Sequence, residues 1–313
     1  MHLCRWIIRI SVVFWAGTAI ANECIPGPWG EDDQIGAANR VTPERTLAAA
    51  QLVKAGRSHP LGIVIDPSMP AYPPRYAQLQ VVQPNQQFGA DPGLGWDGIY
   101  NDDMLQMWLG IGPQLDGLGH MGEAGYFYNC HRGADIAPIT GLTKLDISQI
   151  PPLVARGVLI DMTKHFGVSY MAAGQPIEAQ DIRAAMEAQN IAVNEGDVVL
   201  LHTGWTDAKL ASEPDLWAQT IPGISNDAAR YLASLKPTAV GADTWGLGAV
   251  PAKTGDKLFY EHAVLLQQNG IYLLETMNTG PLAQELVYEF MFVLGQPRLK
   301  GAVQMIINPV ALW

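Results

Sequence analysis

The chain has 313 residues, 48% hydrophobic and 16% charged, with a formal net charge of −11. This is globular composition, enough for one large core or two small ones, and it excludes a disordered chain. Acidic residues outnumber basic ones by 30 to 19 and no basic stripe is present to neutralise phosphates, so no nucleic-acid partner is expected.

The N-terminus reads as an export signal. "MHLCRWIIR" carries Arg5 and Arg9, "ISVVFWAGTAI" is apolar, and Ala19–Ala21 is an A-x-A cleavage site. The apolar run is too short to span a bilayer as a helix. The expectation is a signal peptide over residues 1–21 and one mature domain over 22–313, periplasmic or secreted and not membrane-bound. Cys24 and Cys130 remain after cleavage. In an oxidising compartment they either pair or stay as two buried thiols.

In chain order, Thr42-Pro43 marks a helix start, apolar residues follow at helical spacing, and Gly56 stops it. "SHPLGIVID" reads as a strand. Residues 67–103, rich in Pro, Gly, Gln and Asn, read as long loops and hairpins forming one wall of a site. Met104–Asp116 reads as one mostly extended run. Strands are expected at Leu153–Met162, Gly196–Trp205, Thr238–Thr244 and Ile271–Thr276. Helices are expected at Ile177–Asn190, Ile224–Leu235 and Lys257–Gly270, with Ser225 as an N-cap and Asn269-Gly270 as a stop. "ELVYEFMFVLG" and "GAVQMIINPVAL" read as a closing strand pair. No Pro- or Ser-rich linker interrupts the mature chain, so the fold class expected is a single α/β domain with a mixed β-sheet and flanking helices.

One polar constellation stands out. In "GIGPQLDGLGHMG", Gln114 and Asp116 are two apart and project to one face of an extended segment. His120 follows a Gly-Leu-Gly turn that can return it beside them. Asp and His are natural ligands for a divalent ion, and Gln is a weak, neutral one. Farther along, His262 lies in the helix before Asn269-Gly270, and the next strand leads back to Glu275. The helical and extended path lengths are similar, which sets His262 and Glu275 near one end of the sheet.

These segments, with "WGEDDQIGAANRVTPE", "IPPLVARGVLIDM", "GDVVLLHTGW", "PGISNDAARYLASL", "VGADT" and "FMFVLGQPRLKGA", resemble the kynurenine-formamidase-like cyclase family of metal-dependent hydrolases. The likeness is strongest to its longer branch, which includes trans-dienelactone hydrolase. It implies a swivelling β/β/α fold, a homo-oligomer, and hydrolysis of a small cyclic amide, formamide or lactone with Mn or Zn. The family's signature is H-x-G-T-H-x-D-x-P-x-H. Its first His falls here on Gly110, its Gly on Gly112, its Thr on Pro113 and its second His on Gln114. Its Asp falls on Asp116, its Pro on Leu118 and its last His on His120. The downstream His and Glu fall on His262 and Glu275. The resemblance therefore implies a metal site drawn from Gln114, Asp116, His120, His262 and Glu275, with Asp116 and His120 catalytic. The loss of both His of one ion argues against a two-metal centre.

His202, Trp205 and Trp108 are the candidate substrate-binding residues: His202 ends a buried strand, where sites in α/β folds gather. His59 and His165 read as structural. No G-x-S-x-G, phosphate loop or dinucleotide fingerprint occurs. The rival reading is a small-molecule binding protein that kept the fold and lost catalysis.

Overall fold

A computed structural model describes residues 24–83 and 93–313 of the chain. The export signal read over residues 1–21 lies outside the described residues. The strands run in chain order as β1 (Ser58–Pro60), β2 (Ala77–Val82), β3 (Asp102–Met107), β4 (Gln114–Asp116), β5 (Leu153–Asp161), β6 (Pro176–Ile177), β7 (Val198–His202), β8 (Gly223–Ile224), β9 (Ala239–Ala242), β10 (Tyr272–Glu275), β11 (Glu289–Leu294), β12 (Gln304–Ile306) and β13 (Val310–Leu312).

Nine of these form one mixed sheet in the order β1-β13-β11-β5-β7-β9-β10-β4-β12. Its centre, β5-β7-β9-β10, is parallel. Those strands read as continuous apolar runs because both faces are covered. Parallel neighbours need crossover connections, and helices Ala179–Gln189 and Asn226–Ser234 supply two of them. Each helix starts where its caps say. Glu178 and Asp181 form a reciprocal capping box, and Ser225 Oγ accepts from the Ala228 N–H at 3.2 Å. Ile182, Ala228, Ala229 and Leu232 turn inward to the core beneath the sheet.

The flanks are antiparallel: β4 and β12 on one side, β11, β13 and β1 on the other. The closing segments therefore do more than pair with each other. β11 pairs with β13, but β12 crosses to β4 at the opposite edge. Only residues 307–309 separate β12 from β13, a span of at most about 14 Å. The two ends of the sheet must therefore approach, and the sheet is curled. Asn278 N–H, just past β10, donates to Leu61 O, just past β1, at 2.7 Å, and Gly62 bridges to Met277, so the two sides meet. This curl carries Gln304 to the side of Asp116.

Three expectations change in detail. The strand expected at "SHPLGIVID" is confined to Ser58–Pro60. Met104–Asp116 is not one extended run: β3 ends at Met107, and the chain turns before β4, with Gly112 at φ +71°. The helix expected over Lys257–Gly270 is a single turn, Tyr260–His262, followed by a π-helical turn over Ala263–Gln267. Such turns concentrate at functional sites. Apart from the main sheet, β2 and β3 form a hairpin whose Leu79, Val81, Met104 and Leu105 are exposed.

Cys24 and Cys130 are joined in a disulfide across a sequence separation of 106. Cys130→Ser is expected to cost about 2–4 kcal/mol by freeing a long loop in the unfolded chain. A urea melt reads this directly, and an unchanged midpoint under non-reducing conditions would contradict it.

Candidate active site

Register alone assembles one face of the site. Gln114 lies opposite Glu275 across the β4–β10 ladder, and Asp116 lies opposite Gln304 across β4–β12. Residues directly opposite share a face, as do residues two apart. Four polar side chains therefore meet at the curled end of the sheet. His262, from the short turn Tyr260–His262, closes over them.

The hydrogen bonds sort the carboxylate oxygens into two kinds. The Gln114 amide nitrogen donates to Asp116 Oδ1 at 3.2 Å and to Glu275 Oε2 at 2.6 Å. Gln304 donates to Asp116 Oδ1 at 2.6 Å. The other two oxygens, Asp116 Oδ2 and Glu275 Oε1, are buried and have no hydrogen-bond partner. Both face His262 Nε2, at 3.6 and 3.5 Å. The other ring nitrogen of His262 lies 3.0 Å from Glu261 Oε1. His120 Nε2 is 3.9 Å from Asp116 Oδ2. Ligating atoms of Asp116, His120 and His262 all lie within 4.8 Å of one another.

This donor set fits a divalent metal ion. Buried carboxylate oxygens left bare are rare unless a cation meets them. Two such oxygens and one imidazole nitrogen converge here, a mixed O/N set suited to Mn or Zn. Glu261 behind His262 is the carboxylate–histidine pairing that orients a ligating ring. Gln114, expected as a ligand, stands at the site, opposite Glu275. Its amide nitrogen turns to both carboxylates, holding one oxygen of each and presenting the other.

The charges interact strongly. Burial pushes Asp116 up, but His120 and His262 outweigh it and bring it down to about 2. Burial, and then the Asp116 charge, push Glu275 up to about 7. Burial holds His120 below its ordinary value. Burial opposes protonation of His262 too, yet the carboxylates of Asp116, Glu261 and Glu275 around its ring raise it well above. Two residues beside the site, Phe259 and Thr276, sit at φ +57°, backbone that side chains rarely adopt and that clusters at functional sites.

A cavity of about 130 Å³ opens onto this group, lined by Tyr72, Arg75, His120, Trp245, Phe259 and His262 among others. A larger surface groove of about 230 Å³ lies beside Cys24 and Glu123, but no histidine lines it. The chemistry places the site in the smaller cavity. The aromatic rings that reach it are not those expected. Trp205 is buried with Trp217 and Ile221 in a separate cluster. Trp108 lies exposed just past the hairpin strand β3. His202 is buried and bonded to Thr279 Oγ1 at 2.8 Å. None of the three lines the cavity. Arg75, Trp245, Glu261 and Gln304 were not anticipated; adjacency to His262 was the one signal available, for Glu261.

The family described as Putative cyclase matches residues 58–249, more than half of the chain. The chain belongs to the putative cyclase family. Among cyclase-family structures, one described as a novel cyclase is 28% identical, with a TM-score of 0.82 over 91% of this chain and 98% of that one. The mixed α/β single domain is therefore the cyclase fold. Isatin hydrolase A from Labrenzia aggregata, bound to benzyl benzoate, is 17% identical with a TM-score of 0.59, covering 86% and 98% of the two chains. Isatin hydrolase A from Ralstonia solanacearum is 18% identical with a TM-score of 0.60, covering 86% and 97%. At that identity the likeness is one of fold. No curated protein matches this cyclase-family chain significantly by sequence.

Proposed function

We propose that the protein is a metal-dependent hydrolase that opens a small cyclic amide, formamide or lactone. The observation that carries this is the pair of buried oxygens on Asp116 and Glu275 that have no hydrogen-bond partner and face His262, with His120 lining the cavity. Family membership and the cyclic-amide hydrolases that share the fold support it.

In this reading Asp116, Glu275 and His262 hold one Mn or Zn ion. Bound there, the ion supplies an electrophile for a carbonyl oxygen and lowers the pKa of water. Gln114 and Gln304 fix the carboxylates, and Glu261 fixes the His262 ring. His120 lies slightly farther from Asp116 than His262 does, at 3.9 against 3.6 Å, and it lines the cavity. It accepts the proton of the attacking water and returns it to the leaving nitrogen or oxygen. The aromatic walls exclude bulk water from the bond being cut.

The same proposal includes export and self-association. A disulfide between Cys24 and Cys130 supports an oxidising compartment, periplasmic or secreted. The exposed apolar hairpin β2–β3 supports a homo-oligomer, since a two-stranded hairpin is marginal alone.

The test is metal analysis of protein loaded with Mn²⁺ or Zn²⁺, followed by assay on cyclic amides, N-formyl anilines and lactones. One ion per chain with turnover of one class is expected. Ligand binding without turnover under either ion would establish the rival binding protein, for which the departures at Gly110 and Gln114 speak. A protein that binds neither ion would sink the hydrolase.

A further inference from the structure

Gly110 stands where the resemblance expects a histidine, and its surroundings show what fills the space. A Cβ on Gly110 would meet Arg75 Nη1 at 2.8 Å and Gln304 Nε2 at 2.8 Å. The missing side chain is what lets Arg75 in. Its guanidinium donates to the Gly110 carbonyl and lines the cavity with His120, His262 and Glu275.

Arg75 forms no ion pair among the described residues. The other partly buried arginines face carboxylates: Arg156 lies 2.6 Å from Asp197, and Arg40 lies 3.7 Å from Glu195. Among the described residues Arg75 has no carboxylate within ion-pair distance, and it is the only Lys or Arg lining the cavity. Glu275 feels the Arg75 charge but forms no ion pair with it: Asp116 and Glu275 each give one oxygen to Gln114, and their other oxygens face His262. One of the five guanidinium N–H donors is spent on Gly110. The rest form a planar fork whose natural complement is a carboxylate.

The cavity's shape sets the rest of the ligand. At about 130 Å³ it is close to the roughly 150 Å³ that encloses one benzene ring. Tyr72, Trp245 and Phe259 wall it, with the Tyr72–Trp245 centroids 5.2 Å apart and Tyr72–Phe259 at 5.9 Å. Tyr72 and Arg75 belong to one turn, closed by Arg75 N–H donating to Tyr72 O at 3.2 Å and stiffened by Pro73 and Pro74. Ring contact and charge contact are thus delivered together.

We propose that Arg75 reads a carboxylate, and that the substrate is a single planar ring carrying that carboxylate in addition to the bond to be cut. The substrate rests on the hydrolase reading; the carboxylate subsite does not.

The probes are benzoate and its neutral isostere benzamide, titrated calorimetrically into the Mn²⁺-loaded protein. Benzoate is expected to bind at least tenfold tighter than benzamide, and increasingly weakly as salt rises. Arg75→Gln, which keeps a donor for Gly110, should erase the benzoate advantage and leave benzamide unchanged. Arg75→Lys should restore part of it. Equal affinity for the two probes in the parent protein overturns the proposal. So does benzoate affinity unchanged in Arg75→Gln, which would mean the ion alone holds the carboxylate. Arg75-dependent benzoate binding with no turnover of any amide or lactone would fail the hydrolase and keep the subsite. Turnover indifferent to a ring carboxylate, with KM unchanged in Arg75→Gln, would keep the hydrolase and fail the subsite.

Discussion

Asp116→Asn is expected to abolish divalent-ion binding and to lower turnover about 10³-fold. Electrophilic assistance by an ion is worth several kcal/mol, and 1.36 kcal/mol is a factor of ten. The substitution is nearly isosteric. Its side-chain oxygen still accepts from Gln114 and Gln304, so the β4–β10 and β4–β12 ladders keep their cross-strand partners. What is lost is the charge on the Asp116 oxygen that has no hydrogen-bond partner and faces His262. Metal analysis after dialysis checks the first claim, and an unchanged metal content would refute the site.

The pH dependence of the ion-free protein gives the same substitution an independent signature. Glu275 is raised to about 7 by burial and then by Asp116. Between about pH 4.5 and 7 the folded protein holds a proton there that the unfolded chain has released. Stability therefore falls as pH rises through that window. His262, raised well above its ordinary value by Asp116 and the two glutamates against the opposing effect of burial, acts in the same direction. Its stabilisation is complete below about pH 6.5 and is lost as pH rises through its folded value. Removing the Asp116 charge weakens both effects, so the loss between pH 5 and 7 is expected to be shallower in Asp116→Asn. At the acid end Asp116, lowered to about 2, stabilises above its unfolded value near 3.8 and loses that as pH falls. The variant lacks that limb. Since ligands must be deprotonated to bind, added Mn²⁺ should raise the parent's melting temperature more at pH 7 than at pH 5, and leave the variant's unmoved.

How much of this the sequence discloses follows from the range of the signals. Local signals carry well. Thr42 and Ser225 cap helices as their spacing says. The apolar runs of β5, β7 and β10 are buried strands. The two-residue period of β4 puts Gln114 and Asp116 on one face, and path length brings Glu275 and His262 to the same end. Long-range placement does not carry. Gln304 lies 188 residues from Asp116 and reaches it only because the sheet curls, which no local period encodes. Arg75 arrives from a loop outside the main sheet. Tryptophans near a motif look alike as letters, yet Trp205 is buried in a separate core cluster while Trp245, packed against that cluster, also lines the cavity. Gln114 shows a subtler limit. Its presence at a ligand position is legible, but whether an amide turns its oxygen or its nitrogen inward depends on the acceptors around it. Here two carboxylates accept from the nitrogen.

His120→Asn is expected to lower kcat by about 10²–10⁴-fold, the usual worth of a positioned proton carrier, while metal content stays at the parent level. That pairing of results separates a base from a ligand. Geometry favours the base. His262 lies within 3.6 Å of both bare oxygens and is braced by Glu261, whereas His120 approaches only Asp116, at 3.9 Å, and opens to the cavity. Its ring is inclined to that of His262, with centroids 5.7 Å apart. Burial, opposed by the Asp116 charge and reinforced by His262 and Arg75, keeps His120 below its ordinary value near 6.5. It is therefore neutral at pH 7 and free to accept a proton, and the acid limb of kcat/KM should lie below pH 6.5 in the parent. In His120→Asn that limb should vanish from the residual activity, because asparagine does not titrate. If the variant instead lost its ion and kept its pH profile when excess Mn²⁺ restored activity, His120 would be a ligand, and the proton would have to leave by another route.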